Sequence, residues 1–118
     1  MAKKNKYGNT RSNGFDSKKE ERRYDTLRVQ EMKGEITELR RQVPFELIPA
    51  QKEPDKIGPR GGVIRGKVLE RPATYIADFV YYRDGELVVE DSKGYRTADY
   101  RLKKKMMLYF HGIRIKET

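Results

Sequence analysis

The sequence contains no cysteine and no long apolar run, and each of these absences removes a class of protein. Without cysteine there is neither a disulfide framework nor a zinc site of the cysteine type. No stretch approaches the roughly 18–20 apolar residues of a membrane span, and no hydrophobic segment follows the lysine-rich start of the chain to make a signal peptide. The nucleotide P-loop pattern, Gly-x-x-x-x-Gly-Lys-Ser/Thr, is also missing. We therefore expect a soluble cytoplasmic protein without a membrane partner.

Positive charge is what the sequence has in excess, with 27 Lys and Arg against 18 Asp and Glu, a formal net charge of +9 and a pI of about 9.8. Such a basic chain favours a polyanionic partner, and nucleic acid is the usual one. The length of 118 residues predicts one small domain, residues 15–118. Residues 1–14 carry scattered lysines among Asn, Ser and Gly, which predicts a flexible basic arm that either contacts phosphate or is simply solvated.

The segment 74–93 reads as one β-hairpin, because aromatic and β-branched runs flank Asp84-Gly85, a strong two-residue hairpin signal. In that register Arg83 faces Glu86, and continuing it places Asp78 opposite Asp91. Side chains alternate along strands. One face then carries Asp78, Val80, Tyr82, Leu87, Val89, Asp91 and Lys93, and the other carries Phe79, Tyr81, Val88 and Glu90.

Two carboxylates placed opposite each other destabilise a hairpin unless something compensates their charge. A divalent cation would do so, and carboxylate oxygens suit Mg²⁺ or Mn²⁺. Lys93 would lie close enough to hold a phosphate or a metal-bound water. The alternative is an exposed edge hairpin with solvated charges, and the aromatic and β-branched residues around Asp78 and Asp91 count against it.

A first helix is predicted from Ser17 to about Lys33, with Gly34 at the position of a C-terminal cap. Glu20 begins the same helical stripe as the apolar Leu27. Because Ser-x-x-Glu is also a capping box, Glu20 either bonds back to the helix terminus or serves as a catalytic acid, and the pattern alone leaves both open.

After a short turn at residues 36–39, the segment Val43–Ile48 alternates like a strand, and Pro44 favours a sheet edge. Gln42 lies at the mouth of this strand. Residues 52–72 are rich in glycine and cations and lack periodicity, which predicts a long mobile loop. This loop either clamps a phosphate backbone or is a flexible insertion.

A second helix is predicted from Thr97 to about Tyr109, and its cations suit either a solvated face or a phosphate-facing one. A short strand from His111 to Lys116 closes the chain, and this lone histidine has no partners at metal-ligand spacing. The order helix, strand, hairpin, helix, strand predicts an α/β domain with one mixed sheet backed by helices.

Asp78 followed by Asp91-Ser92-Lys93 resembles the signature of the PD-(D/E)xK nucleases, which share a restriction-endonuclease-like αβββαβ core. The segments 15–20, 41–45, 75–79 and 89–94 together resemble a small phage-encoded family that is similar to the Holliday-junction resolvases of the phage endonuclease I type. The resemblance covers residues 15 to about 110, and it implies a phage or prophage protein acting in a bacterial host.

The resemblance implies that Glu20, Asp78 and Asp91 bind one or two divalent metal ions, Mg²⁺ or Mn²⁺, and that Lys93 orients or activates the attacking water. Glu90 precedes Asp91 and would replace it if the register slipped by one residue, although the spacing to Lys93 favours Asp91. Cations and one amide are expected to bind nucleic acid: Gln42, Arg60, Arg65, Lys67, Lys103 and Lys104.

The function that follows is a metal-dependent endodeoxyribonuclease acting on branched DNA. Because a resolvase must cut two strands together, the predicted function implies a homodimer. The alternative is a non-catalytic nucleic-acid-binding accessory protein, for which the net charge suffices but the acidic cluster has no purpose.

Overall fold

A computed structural model describes residues 14, 15, 17–92 and 96–118 of the chain. Its elements, in chain order, are α1 (Lys18–Met32), β1 (Thr37–Ile48), β2 (Gln51–Lys52), β3 (Lys56–Ile57), β4 (Val63–Ile64), β5 (Val68–Glu70), β6 (Ala73–Arg83), β7 (Glu86–Asp91), α2 (Ala98–His111) and β8 (Lys116–Glu117). Two of the sequence predictions, the catalytic Lys93 and nearly all of the basic arm at 1–14, lie outside the described residues. No helix in the described part is long and apolar enough to cross a lipid bilayer.

One four-stranded sheet organises the domain in the order β1-β6-β7-β8. The pairs β1–β6 and β6–β7 are antiparallel, whereas β7 and β8 run parallel, so the sheet is mixed. The principal elements therefore follow the order αβββαβ, with two helices packed on the sheet. The predicted fold class is confirmed.

The central hairpin has the predicted register. Phe79 pairs with Glu90 at one end and Arg83 pairs with Glu86 at the other. Asp84 and Gly85 both have positive φ, 52° and 76°, which is the backbone of the tight turns that suit the right-handed twist of paired strands. The hairpin could be predicted because a two-residue loop fixes the register of everything that follows it.

Both ends of α1 also agree with the sequence prediction. Ser17 is the N-cap, and its Oγ accepts the Glu20 N–H at 3.1 Å. At the other end the Gly34 N–H donates to the Glu31 carbonyl at 3.0 Å. Gly34 has a φ of 78°, a left-handed conformation that favours glycine and stops the helix.

The short turn predicted at residues 36–39 ends earlier than expected, because β1 begins at Thr37 and already contains Leu39. β1 pairs with β6 from Thr37 through Ile48, and its length follows from the long partner strand rather than from its own residues. Its place at the edge of the sheet agrees with the edge position predicted from Pro44.

The predicted loop at residues 52–72 contains regular structure. β2 pairs with β5, and β3 pairs with β4, so the chain folds back on itself as an antiparallel ribbon. We call residues 49–72 the ribbon arm. A Cβ atom at Gly66 would lie 1.7 Å from the Glu53 carbonyl oxygen, so only glycine fits there. Strands of two or three residues are too short to show periodicity, which is why the sequence indicated a loop.

The end of the chain differs from the prediction as well. Helix α2 continues through His111, where a strand was expected, and Gly112 ends it in the left-handed conformation with a φ of 66°. The last strand is only Lys116–Glu117, beside β7. The apolar character of residues 113 and 115 indicated a strand, but these residues fill core positions after the helix cap.

Candidate active site

The two faces of the sheet carry separate hydrophobic clusters, and they exchange places along β6 at Asp78. Tyr75, Ala77 and Val80 belong to the cluster under α2, whereas Phe79 and Tyr81 belong to the cluster under α1. Strict alternation would place residues 75, 77, 79 and 81 on one face. The alternation therefore shifts by one residue between Ala77 and Val80, and Asp78 lies within that shift.

Gln42 lies across from this shift on β1, because its neighbours Arg41 and Val43 pair with Phe79 and Ala77. Its φ is 52°, a left-handed conformation that costs a residue with a side chain about 1–2 kcal/mol. Strain of this kind persists only where the surroundings compensate it, and it is concentrated at functional sites. The left-handed residue of β1 and the shift of faces in β6 therefore lie opposite each other in the sheet.

One amide nitrogen joins the two predicted metal ligands Glu20 and Asp78. Gln42 Nε2 donates to Glu20 Oε1 at 2.9 Å and lies 3.4 Å from Asp78 Oδ1. Both carboxylates are almost fully buried, at 4% exposure each. The structure thus brings together a residue of α1, one of β1 and one of β6, as the sequence prediction for Glu20 and Asp78 required.

The serine half of the predicted capping box is present, because Ser17 Oγ accepts the Glu20 N–H. The Glu20 carboxylate accepts a hydrogen bond from Gln42 Nε2 on β1. The cap fixes the position of the Glu20 backbone at the start of α1, and the side chain extends toward β1.

Asp78 and Asp91 are linked to neighbouring groups at the end of the hairpin. Asp78 Oδ2 accepts the Ser92 N–H at 2.8 Å, and Asp91 Oδ2 accepts the Tyr75 hydroxyl at 2.8 Å. Asp91 is completely buried. Burial first, and then the charge of Asp91 and the hydrogen bond to it, raise the pKa of Tyr75 far above its usual value, and the charge of Asp78 adds a smaller increase. Tyr75 therefore stays a hydrogen-bond donor to Asp91.

Glu90 has a different set of partners from Asp91. Arg23 Nε and Nη2 each bind one of its carboxylate oxygens at 2.8 Å, and the Tyr81 hydroxyl donates to it as well. Burial, followed by the hydrogen bond to Glu90, raises the pKa of Tyr81 to about 12. Glu90 thus ties α1 to β7, and the choice of Asp91 over Glu90 as the third acid stays a prediction from the sequence.

The predicted nucleic-acid-binding cations are distributed over two other surfaces. Arg60, Arg65 and Lys67 are exposed on the ribbon arm. Lys103 and Lys104, on α2, form ion pairs with Asp99 at 3.4 Å and Glu117 at 3.2 Å. Partly exposed pairs of this kind contribute at most about 1 kcal/mol, so they do not prevent either lysine from binding phosphate.

A basic pocket of about 220 Å³ beside the acids was not predicted from the sequence. It is lined by Lys19, Arg22, Arg23, Thr26, Ser92 and Thr118. The first four recur at the spacing of one helical face, a signal that the sequence did contain. What the sequence could not indicate is that this face meets Ser92, the residue whose N–H binds Asp78.

Among residues 14, 15, 17–92 and 96–118, no group of three or more acidic or histidine side chains is placed to hold a metal ion. The donor set nevertheless fits Mg²⁺ or Mn²⁺ chemically, because Glu20 and Asp78 present oxygen ligands to a shared amide nitrogen. Mg²⁺ commonly uses one or two carboxylates and completes its shell with water and substrate phosphate.

These features define a mixed α/β protein with buried acids at the junction of α1, β1 and β6, next to a basic pocket. The chain belongs to the family described as "Protein of unknown function (DUF1064)", whose model matches residues 1–116. No curated protein and no solved structure matches the chain.

Proposed function

We propose that this protein is a metal-dependent endodeoxyribonuclease of the PD-(D/E)xK type that hydrolyses phosphodiester bonds in branched DNA. The observation that carries the proposal is the meeting of Glu20 and Asp78 at Gln42 Nε2, within a strained part of the sheet. Buried carboxylates are costly to maintain unless they are paired or coordinate a metal ion. Their chemistry supports a cation site.

Glu20, Asp78 and Asp91 would hold Mg²⁺ or Mn²⁺, which supplies charge stabilisation at the scissile phosphate and lowers the pKa of a water molecule. Gln42 keeps the Glu20 and Asp78 carboxylates turned toward each other. The Ser92 N–H and the Tyr75 hydroxyl fix the rotamers of Asp78 and Asp91. The acids are thus positioned before substrate binds, which is what catalysis by preorganised charge requires.

The basic pocket supports binding of the DNA backbone close to these acids. Lys19 and Arg22 are its exposed cations, and a phosphate held by them would lie beside Ser92. Lys93, one residue further along the chain, would orient the attacking water, as the nuclease resemblance implies. Cutting both strands of a junction would further require two copies of the chain, each with its own site.

A cleavage assay tests this proposal. Labelled four-way junction, duplex and single-stranded DNA are incubated with wild-type protein and Mg²⁺, Mn²⁺ or EDTA. We expect metal-dependent cleavage, strongest for the junction, and its loss in Asp78→Asn. Asp25→Asn is the matched control, since Asp25 is an exposed acid on α1, and it should cut normally. Wild-type protein that binds these DNAs without cutting any of them would contradict the proposal and favour the accessory-protein alternative.

A further inference from the structure

The ribbon arm exposes apolar side chains that neither hydrophobic cluster uses. Ile57 is 80% exposed, Val63 is 67% exposed, and the two face each other as a cross-strand pair. Ile64, Val68 and Leu69 are also at least 49% exposed. These exposed apolar side chains contribute nothing to the core. Their grouping on one narrow ribbon indicates a binding surface.

The tip of the ribbon arm is a tight turn. The Gly61 N–H donates to the Gly58 carbonyl at 3.0 Å, which places Pro59 and Arg60 at the two central positions. Both residues are exposed. The outermost part of the arm therefore presents a rigid proline and an arginine side by side, with Ile57 and Val63 immediately behind them.

The arm is also basic. Residues 49–72 include six Lys or Arg and three Asp or Glu. None of the six cations forms a salt bridge with any residue that the structure describes. Charge on this arm is thus available to an anionic partner, and a second copy of the chain, whose net charge is +9, would be repelled by it.

We propose that the ribbon arm binds the minor groove of duplex DNA and bends it. Arg60 would enter the groove, and Pro59 with the Ile57–Val63 pair would act as an apolar wedge against a base step. Proteins that bind in the minor groove combine these two features, cations for the groove and apolar wedges that partially unstack the bases. The inference rests on the proposed function only in taking DNA as the partner.

The position of the arm relative to the acids indicates where this contact would fall. The arm leaves the sheet after Ile48, six positions along β1 from Gln42, so its root lies about 20 Å from the site at ~3.3 Å per residue. The arm would therefore hold duplex DNA to one side of the site, and the bend would be centred away from the bond to be cut.

Bending can be measured by energy transfer between dyes at the two ends of a short duplex, using the full-length protein in EDTA to prevent cleavage. Wild-type protein should raise transfer, and the double variant Ile57→Ser/Val63→Ser should abolish the rise while changing affinity less than about threefold. Arg60→Ala should weaken binding and lower the slope of log K against log salt by about 0.9. Distamycin, which fills the minor groove, should compete with the wild-type protein.

Two control variants match these substitutions at positions on or next to the two helices. Leu102→Ser changes an apolar residue of α2 that is 53% exposed, and Lys33→Ala removes an exposed cation after α1. Both should bend DNA like the wild type. Bending that survives in the double variant, or that is lost equally in Leu102→Ser, would overturn the proposal.

A different occupant of the arm would also be visible. If the double variant changed the sedimentation coefficient of the free protein and left DNA bending intact, the arm would be an interface between copies of the chain, and the proposal would be wrong.

The arm proposal and the nuclease proposal can fail independently of each other. Cleavage without arm-dependent bending would overturn only the arm proposal, whereas arm-dependent bending without any cleavage would support the arm and contradict the nuclease.

Discussion

The ion pair between Arg23 and Glu90 allows a quantitative test of how α1 is held on the sheet. Glu90 is completely buried, and both of its oxygens accept from the Arg23 guanidinium at 2.8 Å. Removing one member of a buried pair costs about 3–5 kcal/mol, because the other charge is left uncompensated. Since 22% of the Arg23 side chain remains exposed, we expect Arg23→Ala to lower the free energy of unfolding by about 3 kcal/mol.

Urea denaturation followed by circular dichroism measures this change as a shift of the midpoint at constant slope. Arg22→Ala, an exposed neighbour on α1, should change the free energy of unfolding by less than about 0.5 kcal/mol. Adding Glu90→Gln to Arg23→Ala should restore about 1 kcal/mol or more, because a neutral amide is cheaper to bury than an unpaired carboxylate. A loss below about 1 kcal/mol for Arg23→Ala, or no recovery in the double variant, would refute this account of the pair.

Two further predictions concern pH and the third acid. The pKa of Tyr81 is raised from its ordinary value near 10 to about 12, so the folded state holds this proton more tightly, and stability should be complete below pH ~10 and fall as the pH rises toward 12. Denaturation midpoints between pH 9 and 12 should show the fall, and Tyr81→Phe should reduce it, whereas an unchanged fall would contradict the assignment. Asp91→Asn should abolish cleavage yet leave binding to a junction intact or tighter, because one anion no longer repels the backbone; equal cleavage by variant and wild type would remove Asp91 from the mechanism.

The parts of the fold that could be predicted from the sequence are those specified by neighbouring residues. Asp84-Gly85 defines the hairpin turn and therefore the pairing of β6 with β7. Ser17 and Gly34 cap α1 with hydrogen bonds to residues three or four positions away. The residues that form such a signal lie within a few positions of each other in the sequence. They can therefore be recognised before any tertiary contact is known.

The parts that could not be predicted depend on distant contacts. The shift of faces at Asp78 is linked to the left-handed Gln42, and this follows from the pairing of β1 with β6 rather than from either strand alone. The bond between Arg23 and Glu90 joins residues 67 positions apart. The ribbon arm consists of strands too short to have a period, so its glycines and cations suggested a loop.

The site residues divide in the same way. Glu20, Asp78 and Asp91 are predicted from their order along the chain and from the nuclease resemblance, and the structure brings Glu20 and Asp78 to one amide. Tyr75 lies three positions before Asp78, but nothing in its own sequence context indicated that its hydroxyl would bind Asp91. That contact depends on the exact offset between two strands and on the burial of both groups.

A titration with Mn²⁺ by isothermal calorimetry tests the central claim, that these acids form a cation site, most directly. Wild-type protein should bind Mn²⁺, and Glu20→Gln and Asp78→Asn should each weaken binding by about tenfold or more. Asp25→Asn, which removes an equal charge from the exposed surface of α1, should bind like the wild type. Equal Mn²⁺ affinity in all four proteins, or no measurable binding by the wild type, would contradict the account.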